Sequence, residues 1–301
     1  MMLPRTFFAF LLFALSCFRW LEYAESKLPK LPQEEVDALK EITSTMGATY
    51  WEFDSDSCHS KMLRLTPEPP KGSQSSIDCD CTSENNTCHV VGITFKRLNL
   101  PGMLPPYLAK LPNLTQVDFA LNYLSGTIPK EWGSTKLTNM ILSSNKLSGK
   151  LPVTFAKLQN LTDFRISDNS FNGEIPSFIQ NWKSLERLVL RNCHITGELP
   201  SYFWSMKNLN MLDVSFNKLV GEIPVIDVPV GHLRFLFLTG NMLSGNLPES
   251  LLKDGSMTFL TTILRGKDQI NLLKFKLKLV PELLRDQIIH TVFMLIVVER
   301  M

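Results

Sequence analysis

A repeat of about 24 residues runs through most of the sequence and points to a stacked, elongated fold. Six segments share the pattern apolar-x-apolar-x-x-Asn/Cys, and their last positions follow one another at intervals of 23, 24, 24, 24 and 24 residues. Those positions are Asn122, Asn145, Asn169, Cys193, Asn217 and Asn241. One further step back reaches Leu98, so a first, atypical repeat begins near Val91. A fixed period of this length is the signature of a solenoid, in which each repeat stacks on its neighbours.

A second pattern keeps the same period. Seven hexads carry a glycine at their third position and a proline at their sixth: LPGMLP, LSGTIP, LSGKLP, FNGEIP, ITGELP, LVGEIP and LSGNLP. Glycine relieves steric limits at a bend, and proline fixes φ where the chain turns onto the outer side. We therefore expect seven repeats between residues 91 and 255, each built as a strand, a bend and an outer segment.

The strand pattern predicts what each position does. Alternating apolar residues enter the core and the intervening residues face outward. The asparagine is expected to hydrogen-bond backbone groups of the neighbouring turn. Cys193 occupies that position in its repeat, so we interpret it as a buried structural thiol. Three residues after the prolines stand Trp132, Phe155, Ile179 and Phe203. We interpret these as a second apolar spine under the convex face, the alternative being an aromatic binding site.

The residues before the repeats predict a cap. Residues 33–46 place Val36, Leu39, Ile42 and Met46 at helical spacing, behind acidic residues that suit a helix N-terminus. Trp51 and four clustered cysteines follow: Cys58, Cys79, Cys81 and Cys88. These thiols could bind zinc, but behind a signal peptide two disulfides are the expected outcome. Three pairings exist; the one-residue gap disfavours Cys79–Cys81, and we favour Cys58–Cys79 with Cys81–Cys88.

The first 24 residues resemble a secretory signal peptide. Arg5 precedes an apolar run over residues 7–15, and the run ends at Arg19, short of the roughly 18 to 20 residues that a membrane-spanning helix needs. The alternative is a membrane anchor. Charge is balanced, with 31 Lys and Arg against 29 Asp and Glu, which argues against a nucleic-acid partner. The chain is thus expected to be secreted or to lie at the extracellular face of the plasma membrane.

The LxxLxLxxN strand followed by LxGxIP closely resembles the plant-specific class of leucine-rich repeats (LRRs). The cap, with its helix, Trp51 and CDC…C pattern, is similar to that of plant LRR receptor-like kinases. Residues 79–105 (CDCTSENNTCHVVGITFKRLNLPGMLP) most resemble the subgroup with a malectin-like domain. The resemblance implies an α/β repeat solenoid, wound as a right-handed superhelix with a helical, disulfide-bonded N-terminal cap. It also implies a peptide or protein ligand, with a co-receptor as a further candidate partner.

Full-length members of that family would continue into a malectin-like domain, a transmembrane helix and a Ser/Thr kinase. This sequence contains no kinase motif of the G-x-G-x-x-G, VAIK, HRD or DFG type, and its five histidines are scattered. We therefore expect a receptor ectodomain truncated before those regions, without enzyme activity, cofactor or metal. Membrane association would come only through the missing segments or a complex. The alternative is a self-contained secreted LRR protein, such as an inhibitor of a wall-degrading enzyme.

The sequence divides into four expected parts: a signal peptide (1–24), a cap (25–90), seven repeats (91–255) and a divergent tail (256–301). In the tail, Arg265 occupies the Asn position and no LxGxIP hexad follows. The tail combines a basic alternating stretch (274–279) with an eleven-residue apolar run (288–298). Its two interpretations are a membrane-surface segment and an improvised cap or aberrant terminus, and we favour the second.

The outward strand positions define a candidate binding surface on the concave face. It grades from cationic to apolar, and Arg and aromatic residues are enriched at binding hot spots. The alternative is a solvated charged face. The candidate residues are Arg165, Arg187, Val189, Arg191, Met211, Asp213, Phe235 and Phe237. Three N-x-Ser/Thr acceptors, Asn85, Asn113 and Asn160, are candidate glycosylation sites, although such matches also arise by chance.

Overall fold

The computed structural model describes residues 28–48, 51–59, 70–82, 86–225, 232–245, 248 and 259–261. The predicted signal peptide, Asn85, and the tail residues other than 259–261 lie outside these ranges.

One continuous sheet of nine strands forms the concave side, in the order β1-β2-β3-β5-β7-β9-β10-β11-β12. A second sheet of three strands, in the order β4-β6-β8, lies at the bends that follow β3, β5 and β7. The strands are β1 Gln74–Asp80, β2 His89–Lys96, β3 Gln116–Asp118, β4 Ser125–Gly126, β5 Asn139–Ile141, β6 Lys146–Gly149, β7 Asp163–Arg165, β8 Ser170–Phe171, β9 Arg187–Val189, β10 Met211–Asp213, β11 Phe235–Phe237 and β12 Phe259–Thr261. Only β1 and β2 pair antiparallel among these strands; the repeats stack in parallel. The predicted solenoid is confirmed.

The inward strand residues form the core of the solenoid. Val117, Met140, Phe164, Leu188 and Leu212 are each at most 2% exposed. They are mutual partners in the strand register, so each repeat sets its apolar side chain on the equivalent one of the next repeat. This stacking explains why a single repeat could not bury its own apolar face.

The asparagines join neighbouring repeats, as predicted. Asn122 Oδ1 accepts the backbone N–H groups of Leu98 at 3.0 Å and Leu100 at 3.2 Å. Its Nδ2 donates to the carbonyl oxygens of Phe95, at 2.7 Å, and Phe119, at 3.0 Å. One amide thus satisfies four buried or half-buried backbone groups on two repeats.

The convex side is built from short 3₁₀ helices. They span Pro106–Lys110, Lys130–Ser134, Val153–Lys157, Ser177–Asn181 and Ser201–Ser205. The predicted spine residues Trp132, Phe155, Ile179 and Phe203 are all 0% exposed. Trp132 Nε1 donates to the Pro105 carbonyl of the preceding repeat at 2.7 Å. These side chains are core, which rules out the aromatic binding site as their role.

The cap helix α1 spans Gln33–Thr45, one residue shorter than the predicted 33–46. Met46 is the C-cap and Gly47 has φ +88°, a left-handed conformation that ends helices readily. The helix end docks on the first repeat, because the carbonyls of Thr45 and Met46 accept the N–H groups of Met103 and Gly102, both at 3.1 Å. The predicted apolar face is buried, with Val36, Leu39, Ile42 and Met46 at most 2% exposed.

Glu35 has a structural role that the sequence did not reveal. It is 2% exposed, and one carboxylate oxygen pairs with His89 Nδ1 at 2.5 Å. Its other oxygen accepts the N–H of Val90 at 2.8 Å. The helix is thereby fixed to the start of β2. Trp51 adds a second contact, edge-on to Phe95 with ring centroids 4.7 Å apart.

Two disulfides close the cap, Cys58–Cys79 and Cys81–Cys88, in the pairing favoured from the sequence. The sulfur atoms of Cys58, Cys81 and Cys88 lie within 4.8 Å of one another. Because all three are in disulfides, they are not the thiolates that a zinc ion requires. The four cysteines therefore follow the disulfide interpretation and not the zinc-site interpretation.

The strand sheet continues beyond the residue at which the repeat identity fades. β12 pairs in parallel with β11 and keeps the 24-residue register, with Leu260 opposite Leu236. Backbone pairing thus extends past the expected repeat boundary at 255. Within the described ranges, no helix has the length and apolar character needed to cross a bilayer.

Candidate ligand-binding surface

The strand register places the predicted concave residues in straight columns. Asp118, Ile141, Arg165, Val189, Asp213 and Phe237 are successive partners across β3 to β11. The column beside it contains Gln116, Asn139, Asp163, Arg187, Met211 and Phe235 in the same succession. Seven of the eight candidate residues therefore lie side by side on β7, β9, β10 and β11, and Arg191 lies in the turn just after β9.

An apolar cluster occupies the C-terminal half of this surface. Val189, Met211 and Phe237 are 4–8% exposed and pack together, with Phe235 against them. The cluster is separate from the main core, although its members alternate in sequence with core residues. The sequence predicted an apolar region here.

The arginine half of the surface is less cationic than the sequence indicated, because a carboxylate lies at its centre. Asp163 is 9% exposed and forms a two-pronged ion pair with Arg165, with Nε–Oδ1 at 2.9 Å and Nη2–Oδ2 at 2.7 Å. Arg187 Nη1 reaches the same Oδ2 at 3.2 Å. Two of the three arginines thus share one counter-charge.

Arg191 differs from the other two arginines. Its guanidinium carbon lies 5.0 Å from the centroid of the Phe216 ring, in a cation–π contact. Its Nε is buried without a hydrogen-bond partner. Phe216 was not among the predicted site residues, because it lies in the turn after β10, outside the outward strand positions. Its φ of +54° is an unusual backbone conformation for a bulky side chain.

Asp213 is a buried carboxyl within the central column. Its Oδ1 accepts hydrogen bonds from the backbone N–H of Ser215 at 3.0 Å and from the Ser215 hydroxyl at 2.5 Å. Burial raises the pKa of Asp213, against the lowering effect of the Ser215 bonds and of the Arg191 charge. The nearby charge of Asp168 also raises it.

Two of the three predicted glycan acceptors lie in the described structure. Asn160 is exposed and Asn113 half-buried, and both lie in the turn before a strand. Lys136 Nζ lies 3.4 Å from Asn113 Oδ1. Both side chains are on the surface, so glycosylation there stays a prediction.

Comparisons with known proteins agree with this architecture. Residues 136–158, 160–182, 184–206 and 232–253 match the Leucine Rich Repeat family. An Arabidopsis thaliana protein named "Probable LRR receptor-like serine/threonine-protein kinase RFK1" is 45% identical over 119 residues. The match covers 39% of this chain and 11% of that protein, so the chain spans about a tenth of this relative's length.

Two solved structures show the same fold. The plant peptide hormone receptor RGFR1, in complex with RGF2, superposes with a TM-score of 0.50 and 30% identity, over 58% of this chain and 27% of that one. A plant ice-binding protein superposes with a TM-score of 0.63 and 24% identity, over 78% and 73%, which shows a shared fold alone. The chain contains leucine-rich repeats and, over the 119 residues aligned with RFK1, is homologous to plant LRR receptor-like kinases.

Proposed function

We propose that this chain is a recognition module that binds a peptide or protein ligand on the concave face of β7 to β11. The observation that carries the proposal is the apolar cluster of Val189, Met211, Phe235 and Phe237 directly beside Arg187 and Arg191. The cluster lies on the outward side of the sheet, apart from the main core, and Phe235 is its half-buried member.

The chemistry of this surface suits protein recognition. Interface cores are rich in aromatic residues, Met and Arg, and a few such anchors contribute most of the binding energy. Neighbouring strands bring these residue types within one or two repeats of each other. A ligand lying across the strands would therefore contact arginine and apolar side chains at the same time.

The comparisons support a receptor-type role. RGFR1 was solved in complex with RGF2, and the relative RFK1 is named as a receptor-like kinase. For this chain we propose ligand recognition in signalling, with a co-receptor as a further partner. The two disulfides support an extracellular setting, together with the predicted signal peptide over residues 1–24. Residues 25–90 would serve as the cap and 91–255 as the binding solenoid.

Affinity capture of secreted plant peptides and proteins tests the proposal. The bait is the wild-type chain, compared with Arg187→Ala, Arg191→Ala and Phe237→Ala, and captured partners are quantified by mass spectrometry. Val153→Ser is the matched control, because Val153 is 79% exposed on the convex side. We expect a partner that the wild type and Val153→Ser retain and the concave variants lose. A partner retained equally by all variants would place recognition elsewhere.

A further inference from the structure

A row of basic side chains follows the edge at which the chain passes from the convex side into the concave strands. Each of six successive repeats has one basic residue within the six positions before its strand, β3, β5, β7, β9, β10 or β11. These residues, which we call the basic edge, are Lys110, Lys136, Lys157, Lys183, Lys207 and Arg234. All of them are exposed, and Glu186 is the one acidic residue of the sequence at these positions.

Backbone hydrogen bonds hold this edge at a fixed spacing. The residue before each strand donates its N–H to the equivalent carbonyl one repeat earlier, from Asn210 to Glu186 at 2.8 Å and from Arg234 to Asn210 at 2.9 Å. Parallel strands lie about 4.8 Å apart. Lys183 and Lys207 both stand four residues before their strands, so they occupy equivalent positions on neighbouring repeats. The basic edge therefore repeats its positive charge at about the spacing of the sheet.

Most of these cations have no counter-charge in the protein. Lys110 pairs with Glu41, with Nζ and Oε2 2.7 Å apart. Lys136 Nζ lies 3.4 Å from Asn113 Oδ1, which belongs to a neutral amide. The other four residues of the basic edge form no ion pair with any residue in the described ranges. Because like charges on neighbouring repeats repel one another, a polymer with repeated negative charges would stabilise this arrangement.

The bends on the other side of the strands have the opposite charge over the same part of the solenoid. Glu174, Glu198 and Glu222 occupy the fourth position of three successive hexads. Their side chains lie against the next repeat, since a Cβ on Gly197 would be only 2.8 Å from Glu174 Cγ. A polyanion is therefore repelled from the bends and attracted to the basic edge.

The side chains between the cations are polar. Gln159 and Asn208 are exposed and Ser184 is half-buried. Amide and hydroxyl groups of this kind donate to and accept from sugar hydroxyls. A segment that lies on a membrane needs apolar residues beside its cations. Moreover, the anionic leaflet of the plasma membrane faces the cytoplasm, whereas the two disulfides support an extracellular setting. These surroundings suit a hydrated acidic polymer and not a bilayer.

We propose that the part of the basic edge formed by Lys183, Lys207 and Arg234 binds a linear acidic polysaccharide. Carboxylates along the polymer would pair with cations on successive repeats, so the polymer would lie along the solenoid and outside the concave surface. This is a second binding activity, independent of peptide or protein recognition. The candidate glycan acceptors Asn113 and Asn160 lie in the N-terminal part of the edge, and the proposed site contains no N-x-Ser/Thr acceptor.

Binding of polygalacturonate to the full chain tests the proposal. The comparator is the same polymer with its carboxyl groups methyl-esterified, and binding is measured by biolayer interferometry at low ionic strength. We expect the acidic polymer to bind at least about fivefold more tightly, since an exposed ion pair contributes a factor of up to roughly five and three cations act together. Added salt should reduce the difference, because the charges are exposed. Equal binding of the two polymers would overturn the proposal.

Two double variants assign the binding to the basic edge. Lys183→Gln with Lys207→Gln should weaken polygalacturonate binding by about three- to tenfold, since two exposed ion pairs are lost. Lys150→Gln with Lys218→Gln is the matched control, because these lysines are exposed on the bend side and the net charge changes equally. We expect both variants to melt close to the wild type and the control to keep its affinity. An equal loss in the two would show that net charge, and not the basic edge, attracts the polymer.

Two other polyanions separate the polysaccharide from charge alone. The first is polyglutamate, a linear polyanion without sugar hydroxyls, and the second is a vesicle of phosphatidylcholine and phosphatidylserine. We expect both to bind the full chain more weakly than polygalacturonate does. Binding of either one as tight as that of polygalacturonate would contradict the assignment to a polysaccharide. The edge variants leave the concave residues unchanged, so the capture experiment decides the proposed function independently.

Discussion

Asn217 Oδ1 accepts the backbone N–H of Cys193, in the preceding repeat, at a distance of 3.0 Å. The same oxygen accepts the N–H of Ile195 at 2.9 Å, and Nδ2 donates to the Leu190 carbonyl at 2.8 Å. Cys193 occupies the asparagine position of its own repeat, with Sγ 3.1 Å from the Ile166 carbonyl. The ladder of side chains that joins the repeats therefore continues through a residue with weaker hydrogen-bonding capacity.

Asn217→Ala should lower the free energy of unfolding by about 3 kcal/mol. The variant leaves two buried N–H groups without an acceptor, and each such loss costs roughly 1–3 kcal/mol. Chemical denaturation measures the change. Asn208→Ala is the control, since Asn208 is exposed and its Nδ2 donates to the Lys183 carbonyl at 2.7 Å. Equal losses in the two variants would contradict the role given to the ladder.

Cys193 should be chemically inert in the folded protein. Burial raises the pKa of its thiol to about 12, and the side chain is 0% exposed. The thiolate, which is the reactive form, is therefore scarce at pH 8 and shielded from reagent. We expect no alkylation of Cys193 by iodoacetamide in the native state and full alkylation in denaturant, read by mass spectrometry of the Cys193 peptide. Rapid native labelling would show that this repeat opens.

The sequence predicts the backbone of the solenoid well because each repeat makes the same contacts with its neighbours. A 24-residue period places Leu188 on Leu212, whatever the surrounding side chains are. β12 follows the last hexad and keeps the same 24-residue register. Strand pairing uses main-chain groups, so it persists where Arg265 replaces the asparagine of the repeat. The short sheet of β4, β6 and β8 overlaps the glycine-containing hexads, which the sequence analysis interpreted only as bends.

Side-chain pairing on the concave face was harder to predict. The columns are fixed by register, but which charges neutralise each other depends on rotamers. The register pairs Asp163 with Arg187, but it does not show that the Asp163 carboxylate contacts both Arg165 and Arg187. Phe216 was missed for a different reason. It lies in a turn, where the two-residue alternation no longer says which way a side chain points.

Glu35→Ala should weaken the attachment of the cap by about 3 kcal/mol. The change removes hydrogen bonds to His89 and to the Val90 N–H, and bonds to a charged group contribute roughly 1.5–3 kcal/mol. Thermal unfolding of the cap measures the loss. Glu34→Ala is matched in residue type and helical turn but is exposed, so we expect less than about 1 kcal/mol there. A larger effect at Glu34 than at Glu35 would show that helix electrostatics, and not the contact with β2, fixes the helix.

Asp213→Asn should make the protein less sensitive to rising pH. Burial raises the pKa of Asp213 above its unfolded value of 3.8. An acid of this kind contributes stability below pH 3.8, and the contribution is lost as pH rises through the folded pKa, because ionisation then costs more in the native state. The wild type should therefore lose stability over that range, relative to Asp213→Asn, whose amide oxygen can still accept both bonds from Ser215. Denaturation of both proteins at a series of pH values measures the difference.

Ser215→Ala should strengthen the pH dependence of stability that Asp213→Asn removes. The Ser215 hydroxyl bond favours the ionised carboxylate, so its removal should raise the pKa of Asp213 further. The pH-dependent loss of stability should then continue to a higher pH than in the wild type. In the double variant with Asp213→Asn this extra pH dependence should disappear, because the group that titrates is gone. An unchanged pH profile in Ser215→Ala would mean that the hydroxyl does not control the ionisation of Asp213, and that burial and the charges of Arg191 and Asp168 suffice.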